Sequence, residues 1–364
     1  MNAQRSILAR TISTPIILIG ALLAIALLTM AIGSGPFTRT IVEMFIRVAA
    51  VVGLYIFIGN SGVTSFGHIG FMCVGAYAAA WFTIPPAIKQ FSLRGLPEIV
   101  AKNQLPMPVS AVLAILLAGA VAYVFGRILM RLSGIAASIA TFAMLAMINT
   151  VYANWESVTG ATSSIVGIPM RTGLWTAFIG TIIAICVAYA HAISRSGLAL
   201  RAARDEAIAA SASGVDIQRE RLIAFVLSAM ILGLAGVLYA HFLGVVNPDA
   251  FYLGLTFTTL SMLVIGGMNS LSGAVIGTVV LSMIIQALRW FEQGVNLGDA
   301  RLALPLGLQE ISIGVIMIVI LMFRPSGITG NRELVWPMRR QPRASEDTGK
   351  TGLGRTTEPP ENGS

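Results

Sequence analysis

Residues 174–242 read LWTAFIGTIIAICVAYAHAI (174–193), SRSGLALRAARDEAIAASASGVDIQRER (194–221) and LIAFVLSAMILGLAGVLYAHF (222–242). The first and third segments are continuous apolar runs, each long enough as a helix to cross a hydrocarbon core of about 30 Å. The middle segment carries nine charges, in a chain that has only 24 basic and 16 acidic side chains. This pattern predicts two membrane-spanning helices joined by a charged loop outside the bilayer.

The composition of the whole chain supports the same class of protein. Hydrophobic residues make up 56% and charged residues only 11%, whereas soluble domains are about one quarter charged. We therefore predict an all-α polytopic membrane protein with about ten transmembrane or broken helices. The apolar windows are 15–32, 41–59, 62–82, 107–129, 134–152, 174–193, 222–242, 255–268, 273–291 and 304–323.

Two of these windows have features that differ from those of a plain membrane span. Window 15–32 is longer than the apolar core of a secretory signal, which is about 7 to 15 residues, so we expect a retained helix. Window 255–268 is short and closes at Gly266-Gly267, so it either spans the membrane or re-enters it.

The basic residues define an orientation. If both termini are cytoplasmic and the ten segments alternate, sixteen Lys and Arg residues fall on the cytoplasmic side and seven on the other, with Arg47 inside a span. This bias satisfies the positive-inside rule, so the sequence predicts an N-in/C-in topology with loop 194–221 in the cytoplasm. The net charge of +8 then indicates contact with anionic lipid headgroups of the bilayer and no nucleic-acid partner.

No sequence motif indicates an active centre. The chain has no GxxxxGK[ST] or HExxH motif, and Cys73 and Cys186 stand alone in apolar segments. We predict no catalytic residues, no metal site and no cofactor of its own. Any energy for transport must come from another subunit or from an ion gradient.

The charged loop itself is predicted to contain a helix. Residues 198–213 hold seven alanines and no glycine or proline, and Gly197 and Gly214 are natural boundaries. Such a helix would be about 24 Å long, with Arg201, Asp205, Ile208 and Ala212 along one face. Two readings remain open: a docking surface, or an amphipathic linker that lies on the membrane.

Four segments resemble the LivM-type permeases of branched-chain amino acid ABC importers, and they occur along this chain in the same order as in that family. They are Gly197–His241, Ser61–Ala80 (SGVTSFGHIGFMCVGAYAAA), Asn247–Gly277 (NPDAFYLGLTFTTLSMLVIGGMNSLSGAVIG) and Phe323–Gly330 (FRPSGITG). In the second segment the family pattern is met by Ser65, Gly67, Phe71 and Gly75-Ala76-Tyr77.

The resemblance implies the permease fold of an ABC importer in the bacterial plasma (inner) membrane. It also implies two cytoplasmic ATPase subunits that bind ATP, a second homologous permease and an extracytoplasmic solute-binding protein. The loop would dock on an ATPase. The docking residues would be Arg201, Arg204, Asp205 and Glu206, which pair with charges on the partner, and Gly214, where the chain turns back to the membrane.

Two polar, glycine-rich stretches are the second functional candidate. They interrupt membrane segments where a lipid-facing helix would carry leucine, and such breaks either line a transport path or allow close helix packing. The path reading includes Asn60, Ser61, Ser65, Gly67, His68, Asn269 and Ser270. Gly273 and Gly277 form a GxxxG pair, which favours packing for the second stretch.

The remaining predictions concern domains and alternative functions. We expect a permease domain at 1–325 and a disordered cytoplasmic tail at 326–364, which holds eleven charges and four prolines. The leading function is uptake of branched-chain or related small amino acids; the alternatives are a urea or amide ABC permease and an ion-coupled secondary transporter. The last would need an unpaired acidic residue in the membrane, but Glu43 and Arg47 are spaced to neutralise each other.

Overall fold

The computed structural model of the protein describes residues 2–292, 295–297, 300–302, 308–324, 326–330 and 332–334. Within this part of the chain it has fifteen α-helices and two short antiparallel strand pairs. The helices are α1 Asn2–Ile32, α2 Gly35–Ser61, α3 Ile69–Thr83, α4 Pro86–Ser92, α5 Glu98–Lys102, α6 Met107–Leu129, α7 Gly134–Asn154, α8 Glu156–Thr159, α9 Leu174–Ile193, α10 Arg195–Asp205, α11 Ala207–Ala212, α12 Ile217–Leu243, α13 Leu253–Gly266, α14 Leu271–Glu292 and α15 Leu308–Phe323. The strands are β1 Ile165–Val166 with β2 Val245–Val246, and β3 Val295–Leu297 with β4 Ala300–Leu302.

Each predicted apolar window overlaps a helix, although residues 62–68 of window 62–82 precede the start of α3. Among the described residues, eight helices are long and apolar enough to cross a membrane, and two shorter apolar helices lie at Ile69–Thr83 and Ile311–Ile320. Window 255–268 belongs to the eight, because a 3-10 turn at Pro248–Phe251 precedes α13 and the apolar span runs from Pro248 to Gly266. The predicted all-α polytopic class is confirmed.

Helix α2 lies at the centre of the bundle. Its residues from Val48 to Ser61 are all buried, and α9, α12 and α14 pack around it. A helix that is apolar on every side is stable only when neighbours cover all its faces. By contrast, α1, α6 and α7 leave large apolar side chains exposed, as expected for helices at the lipid boundary.

Close contact between helices depends on glycine. A Cβ atom on Gly236 of α12 would lie 2.1 Å from the Met72 carbonyl oxygen of α3, and one on Gly75 would lie 2.3 Å from the Gly233 carbonyl oxygen. The predicted GxxxG packing is also present, since a Cβ on Gly277 would lie 2.5 Å from the Cα of Gly266. Small residues let the helix backbones approach without clashes.

The connecting segments sort into two ends of the bundle, as alternating spans require. At one end, the outer end, β1 pairs with β2, and the Gly95 amide donates to the Ser157 carbonyl at 2.8 Å. At the other, the inner end, Arg204 of α10 contacts Gly59 at the end of α2. The inner end corresponds to the side that the basic residues predict to be cytoplasmic; that orientation remains a prediction.

The charged loop differs from its predicted form. Instead of one helix over 198–213, α10 ends at Asp205, Glu206 is extended (φ −151°, ψ 99°), and α11 begins at Ala207. The Glu206 side chain accepts a hydrogen bond from the Ile208 amide at 3.4 Å and so caps the second helix. Alanine content predicts helix, but local capping places the break, because propensity is a weak preference.

The first residues of the predicted disordered tail contact the helix bundle. Residues 326–330 and 332–334, here called the C-terminal strap, pack against the turn between α13 and α14. The Ile328 amide donates to the Ile265 carbonyl at 2.8 Å, and the Leu334 carbonyl accepts from the Thr14 hydroxyl at 2.9 Å. The strap thus contacts the helix bundle, whereas the predicted division of the chain at residue 325 remains a prediction; residues 335–364 lie outside the described residues.

Candidate functional site

Local capping shapes the loop between α9 and α12. The Ser194 hydroxyl accepts from the Gly197 amide at 3.1 Å at the start of α10, and the Asp216 carboxylate accepts from the Arg219 amide at 3.1 Å at the start of α12. Gly214 has φ +85°, a conformation that glycine adopts without strain, and it reverses the chain after α11. The loop is thus a pair of short helices with fixed ends.

Arg201 and Arg204 face the membrane helices. Arg201 donates from Nη2 to the Ala192 carbonyl at 2.5 Å, at the end of α9, and Arg204 donates from Nη1 to the Gly59 carbonyl at 2.7 Å, at the end of α2. The last four carbonyls of a helix lack intrahelical partners and carry partial negative charge, so each guanidinium completes a helix terminus. Within this chain both guanidinium groups therefore bind helix ends; their pairing with a partner's charges remains a prediction.

The other predicted docking residues are accessible. Asp205, Glu206 and Gly214 are exposed, and Asp205 pairs with the Arg204 guanidinium at 3.1 Å. The sequence did not single out Ile208 as a docking residue, yet its side chain is 81% exposed beside these carboxylates. Ile208 thus offers an accessible apolar side chain next to two carboxylates. We call residues 205–214 the docking face.

The first polar stretch, residues 60–68, is buried except for Gly62, which is exposed, and Thr64 and Phe66, which are half-buried. Asn60 and His68 have no exposed surface, the Asn60 amide donates to the Ile56 carbonyl at 2.9 Å, and His68 Nδ1 lies 2.6 Å from the Ser65 hydroxyl. The His68 ring packs against Phe57 and Phe225, with centroid distances of 5.1 and 4.9 Å. These side chains therefore fill protein interior within this chain.

Ser61 and Gly67 follow the same pattern. The Ser61 hydroxyl accepts from the Val63 amide at 3.2 Å, which holds the turn after α2. A Cβ on Gly67 would lie 2.4 Å from the Thr141 carbonyl oxygen of α7, so only glycine permits this approach. Packing accounts for both positions in the single chain, and a role in a path remains a prediction.

The second polar stretch forms the turn between α13 and α14. Ser270 is buried and its hydroxyl accepts from the Gly273 amide at 2.7 Å, whereas Asn269 is exposed. This turn contacts the residue that directly precedes the first stretch, because a Cβ on Gly59 would lie 2.6 Å from the Met268 carbonyl oxygen. The structure thus brings the two glycine-rich stretches together at the inner end.

Sequence reasoning missed Glu333, which caps α14 from the C-terminal strap. Its carboxylate accepts from the Leu271 amide at 2.7 Å, from the Ser272 amide at 3.1 Å and from the Ser272 hydroxyl at 2.8 Å. Carboxylates stabilise helix N-termini by satisfying free amides and by opposing the helix dipole. The nearby FRPSGITG segment was the only signal that this region is part of the fold.

A charge cluster joins two helices in the outer half of the bundle. Glu43 pairs with Arg47 on α2, as predicted, and also with Arg289 of α14 at 3.4 Å. Beside them lies a small cavity of about 10 Å³, which is lined also by Ser282 and Gln286. Sharing one carboxylate between two helices lowers the energy of burying these charges, which is consistent with a structural role.

At the outer end, a lobe formed by α4 and α5 encloses Lys89. The ammonium has no exposed surface and donates to the carbonyls of Val100 at 2.9 Å and Asn103 at 2.7 Å. Burial lowers the pKa of Lys89 because desolvation disfavours the charged form. Among the described residues, no group of three or more His, Cys, Asp or Glu side chains forms a possible metal site.

Comparisons with known proteins agree on one family. The sequence profile described as "Branched-chain amino acid transport system / permease component" matches residues 37–321. The chain is 23% identical over 347 residues to the high-affinity branched-chain amino acid transport system permease protein LivM of Escherichia coli strain K12, covering 84% of this chain and 74% of that protein. It is 32% identical over 142 residues to LivH of the same strain, covering 39% of this chain and 42% of LivH.

A further relative is the probable branched-chain amino acid transport permease protein LivM of Methanocaldococcus jannaschii. It is 26% identical over 142 residues, covering 39% of this chain and 41% of that protein. No solved structure gives a significant match.

Proposed function

Because the chain belongs to the family of permease components of branched-chain amino acid transport systems, we propose that it forms part of the membrane pathway of an ATP-driven importer for branched-chain or related small amino acids. The family match over residues 37–321 carries this proposal, since it includes nine of the ten apolar helices. Eight described helices of membrane-spanning length and the relatives' names make the chain a multi-pass permease of the plasma membrane.

The proposed complex contains a second permease of similar sequence. The chain matches relatives named LivM and relatives named LivH, which are permease proteins of one kind of transport system. Because α2 and its buried polar residues fill the interior of this chain, we place the path at the interface between two permeases. Of the predicted path residues, Asn269 at the inner end is the one with an exposed side chain.

Two cytoplasmic ATPases and an extracytoplasmic solute-binding protein complete the proposed complex. The chain has no phosphate-binding GxxxxGK[ST] motif, so ATP would bind to the partner subunits. The docking face supports the contact with an ATPase: Asp205 and Glu206 offer charges, and Ile208 offers an exposed apolar side chain. Complementary charges would set the register of such an interface.

Reconstitution tests the proposal. The chain is co-expressed with the permease, ATPase and binding-protein genes that neighbour it, purified under mild conditions and placed in liposomes. We expect co-purification with an ATPase and uptake of radiolabelled leucine that requires ATP and the binding protein. Purification without any ATPase would contradict the proposal.

Two further measurements address the alternatives. Uptake driven by an ion gradient without nucleotide would support a secondary transporter, which the family match does not favour. Inhibition of leucine uptake by urea or acetamide would indicate a urea or amide permease. The proposal expects isoleucine and valine to compete and urea to have no effect.

A further inference from the structure

Arg201 and Arg204 attach the docking helix α10 to two membrane helices. They lie three residues apart, hence on one face of α10, and each donates to a carbonyl in the last turn of a membrane helix: Arg201 to α9 and Arg204 to α2. Charge-assisted hydrogen bonds are about twice as strong as neutral ones. The helix that would meet the ATPase is thereby attached to the inner ends of α9 and α2.

The contact of Arg204 is built by glycine as well as by charge. A Cβ on Gly62, which has φ +70°, would lie 2.6 Å from Cγ of Arg204, so the arginine stem occupies the space that a side chain would fill. Asp205 pairs with the guanidinium at 3.1 Å from the solvent side and orients it. The Arg204 side chain is only 23% exposed, which limits competition from water.

The contact continues from α2 to the turn between α13 and α14. The Gly59 carbonyl accepts from Arg204, and the same glycine lies against the Met268 carbonyl oxygen, at the polar turn. The C-terminal strap holds that turn from the other side through Thr329, whose hydroxyl donates to the Gly266 carbonyl at 2.8 Å. Direct contacts therefore run from α10 to the end of α2 and from there to the turn.

We propose that Arg204 is a positioning residue that couples movement of the docking helix to the inner end of α2 and, through Gly59, to the turn between α13 and α14. This inference rests on the proposed docking of α10 and α11 on an ATPase. Its role differs from docking itself, because Arg204 faces away from the partner and acts inside the permease. Loss of Arg204 therefore uncouples ATP hydrolysis from transport and leaves the ATPase bound.

The experiment compares Arg204→Gln with Arg131→Gln in the reconstituted complex. Arg131 is an exposed arginine at the same end, outside the docking loop, so the same charge is lost without loss of the contact. The readout is ATP hydrolysed per leucine imported. For Arg204→Gln we expect this ratio to rise about tenfold, because the loss of one charge-assisted hydrogen bond corresponds to about that factor. The ATPase should still co-purify with this variant. Arg131→Gln should keep the wild-type ratio.

A second readout is independent of the cargo. Hydrogen exchange at the Gly62 amide, which donates to the Ile58 carbonyl, reports the last turn of α2. It should be about tenfold faster in Arg204→Gln and unchanged in Arg131→Gln. Arg204→Lys should restore both readouts in part, because lysine keeps the charge but lacks the planar fork.

Wild-type values of the ratio and of Gly62 exchange in Arg204→Gln would overturn the inference. If this variant fails to insert, Arg204→Lys decides, and an unaltered ratio and exchange there overturn it equally. If the wild-type complex lacks an ATPase, the proposed function fails, and Gly62 exchange still decides whether Arg204 holds the end of α2.

Discussion

Removing the Glu333 carboxylate should loosen the first turn of α14. In Glu333→Ala the amides of Leu271 and Ser272 and the Ser272 hydroxyl lose their acceptor. Hydrogen bonds to a charged group contribute about 1.5–3 kcal/mol each, and loss of a helix cap costs about 1 kcal/mol. Because Glu333 is exposed and water replaces part of these bonds, we expect about 1–1.5 kcal/mol, roughly a tenfold change in local opening.

Hydrogen exchange measured by mass spectrometry on the protein in nanodiscs tests this magnitude. Peptides that cover residues 271–277 should exchange about tenfold faster in Glu333→Ala. Glu98→Ala is the matched control, since it removes an exposed carboxylate at the opposite end that pairs only with its neighbour Lys102 in the described structure. It should leave residues 271–277 unchanged.

Truncation gives a second comparison. A chain that ends at Leu334 keeps the strap and should keep wild-type exchange at residues 271–277. A chain that ends at Phe323 loses the strap and should reproduce or exceed the effect of Glu333→Ala. Wild-type exchange in both Glu333→Ala and the shorter chain would refute the assignment of the strap as part of the fold.

Three further predictions follow from particular contacts. Gly236→Val should prevent close packing of α12 on α3, whose Met72 carbonyl oxygen lies 2.1 Å from the added Cβ, and thermal unfolding in detergent should occur several degrees lower. Glu206→Arg or Gly214→Trp should leave the permease inserted but lower ATP-driven uptake about tenfold or more by disturbing the docking face; wild-type uptake in both variants would contradict the docking assignment. Lys89→Met should leave the carbonyls of Val100 and Asn103 without their donor. We expect the free energy of unfolding to fall by about 1–3 kcal/mol. Urea denaturation of the outer lobe measures this loss, and Lys102→Met is the control at an exposed lysine.

The membrane class and the spans could be predicted because they depend on local composition. A helix that crosses a bilayer needs about twenty apolar residues in sequence, and windows such as 107–129 and 174–193 match α6 and α9 at both ends. The Glu43–Arg47 pair could also be predicted from the sequence, since a spacing of four places both residues on one helix face. Its extension to Arg289 could not be predicted, because Glu43 and Arg289 lie 246 positions apart along the chain.

The directions of the charged side chains in the loop could not be predicted from the sequence. Sequence grouped Arg201, Arg204, Asp205 and Glu206 as one charged surface, but the structure divides them between two directions. The direction of each side chain depends on which helix ends lie nearby, and a single sequence does not specify those neighbours. Glu333 was missed for the same reason: a charged, proline-rich segment is typical of disorder unless a helix terminus receives it.

By itself the sequence determined that this chain crosses the membrane in about ten helices and exposes one charged loop, since hydrophobic length and charge placement are properties of consecutive residues. Only the tertiary structure decided that the loop's helix breaks at Glu206, that two of its arginines hold membrane helices, and that the strap closes the turn between α13 and α14. Those outcomes depend on unpaired carbonyls and amides at helix ends, whose partners are brought near only when the bundle packs.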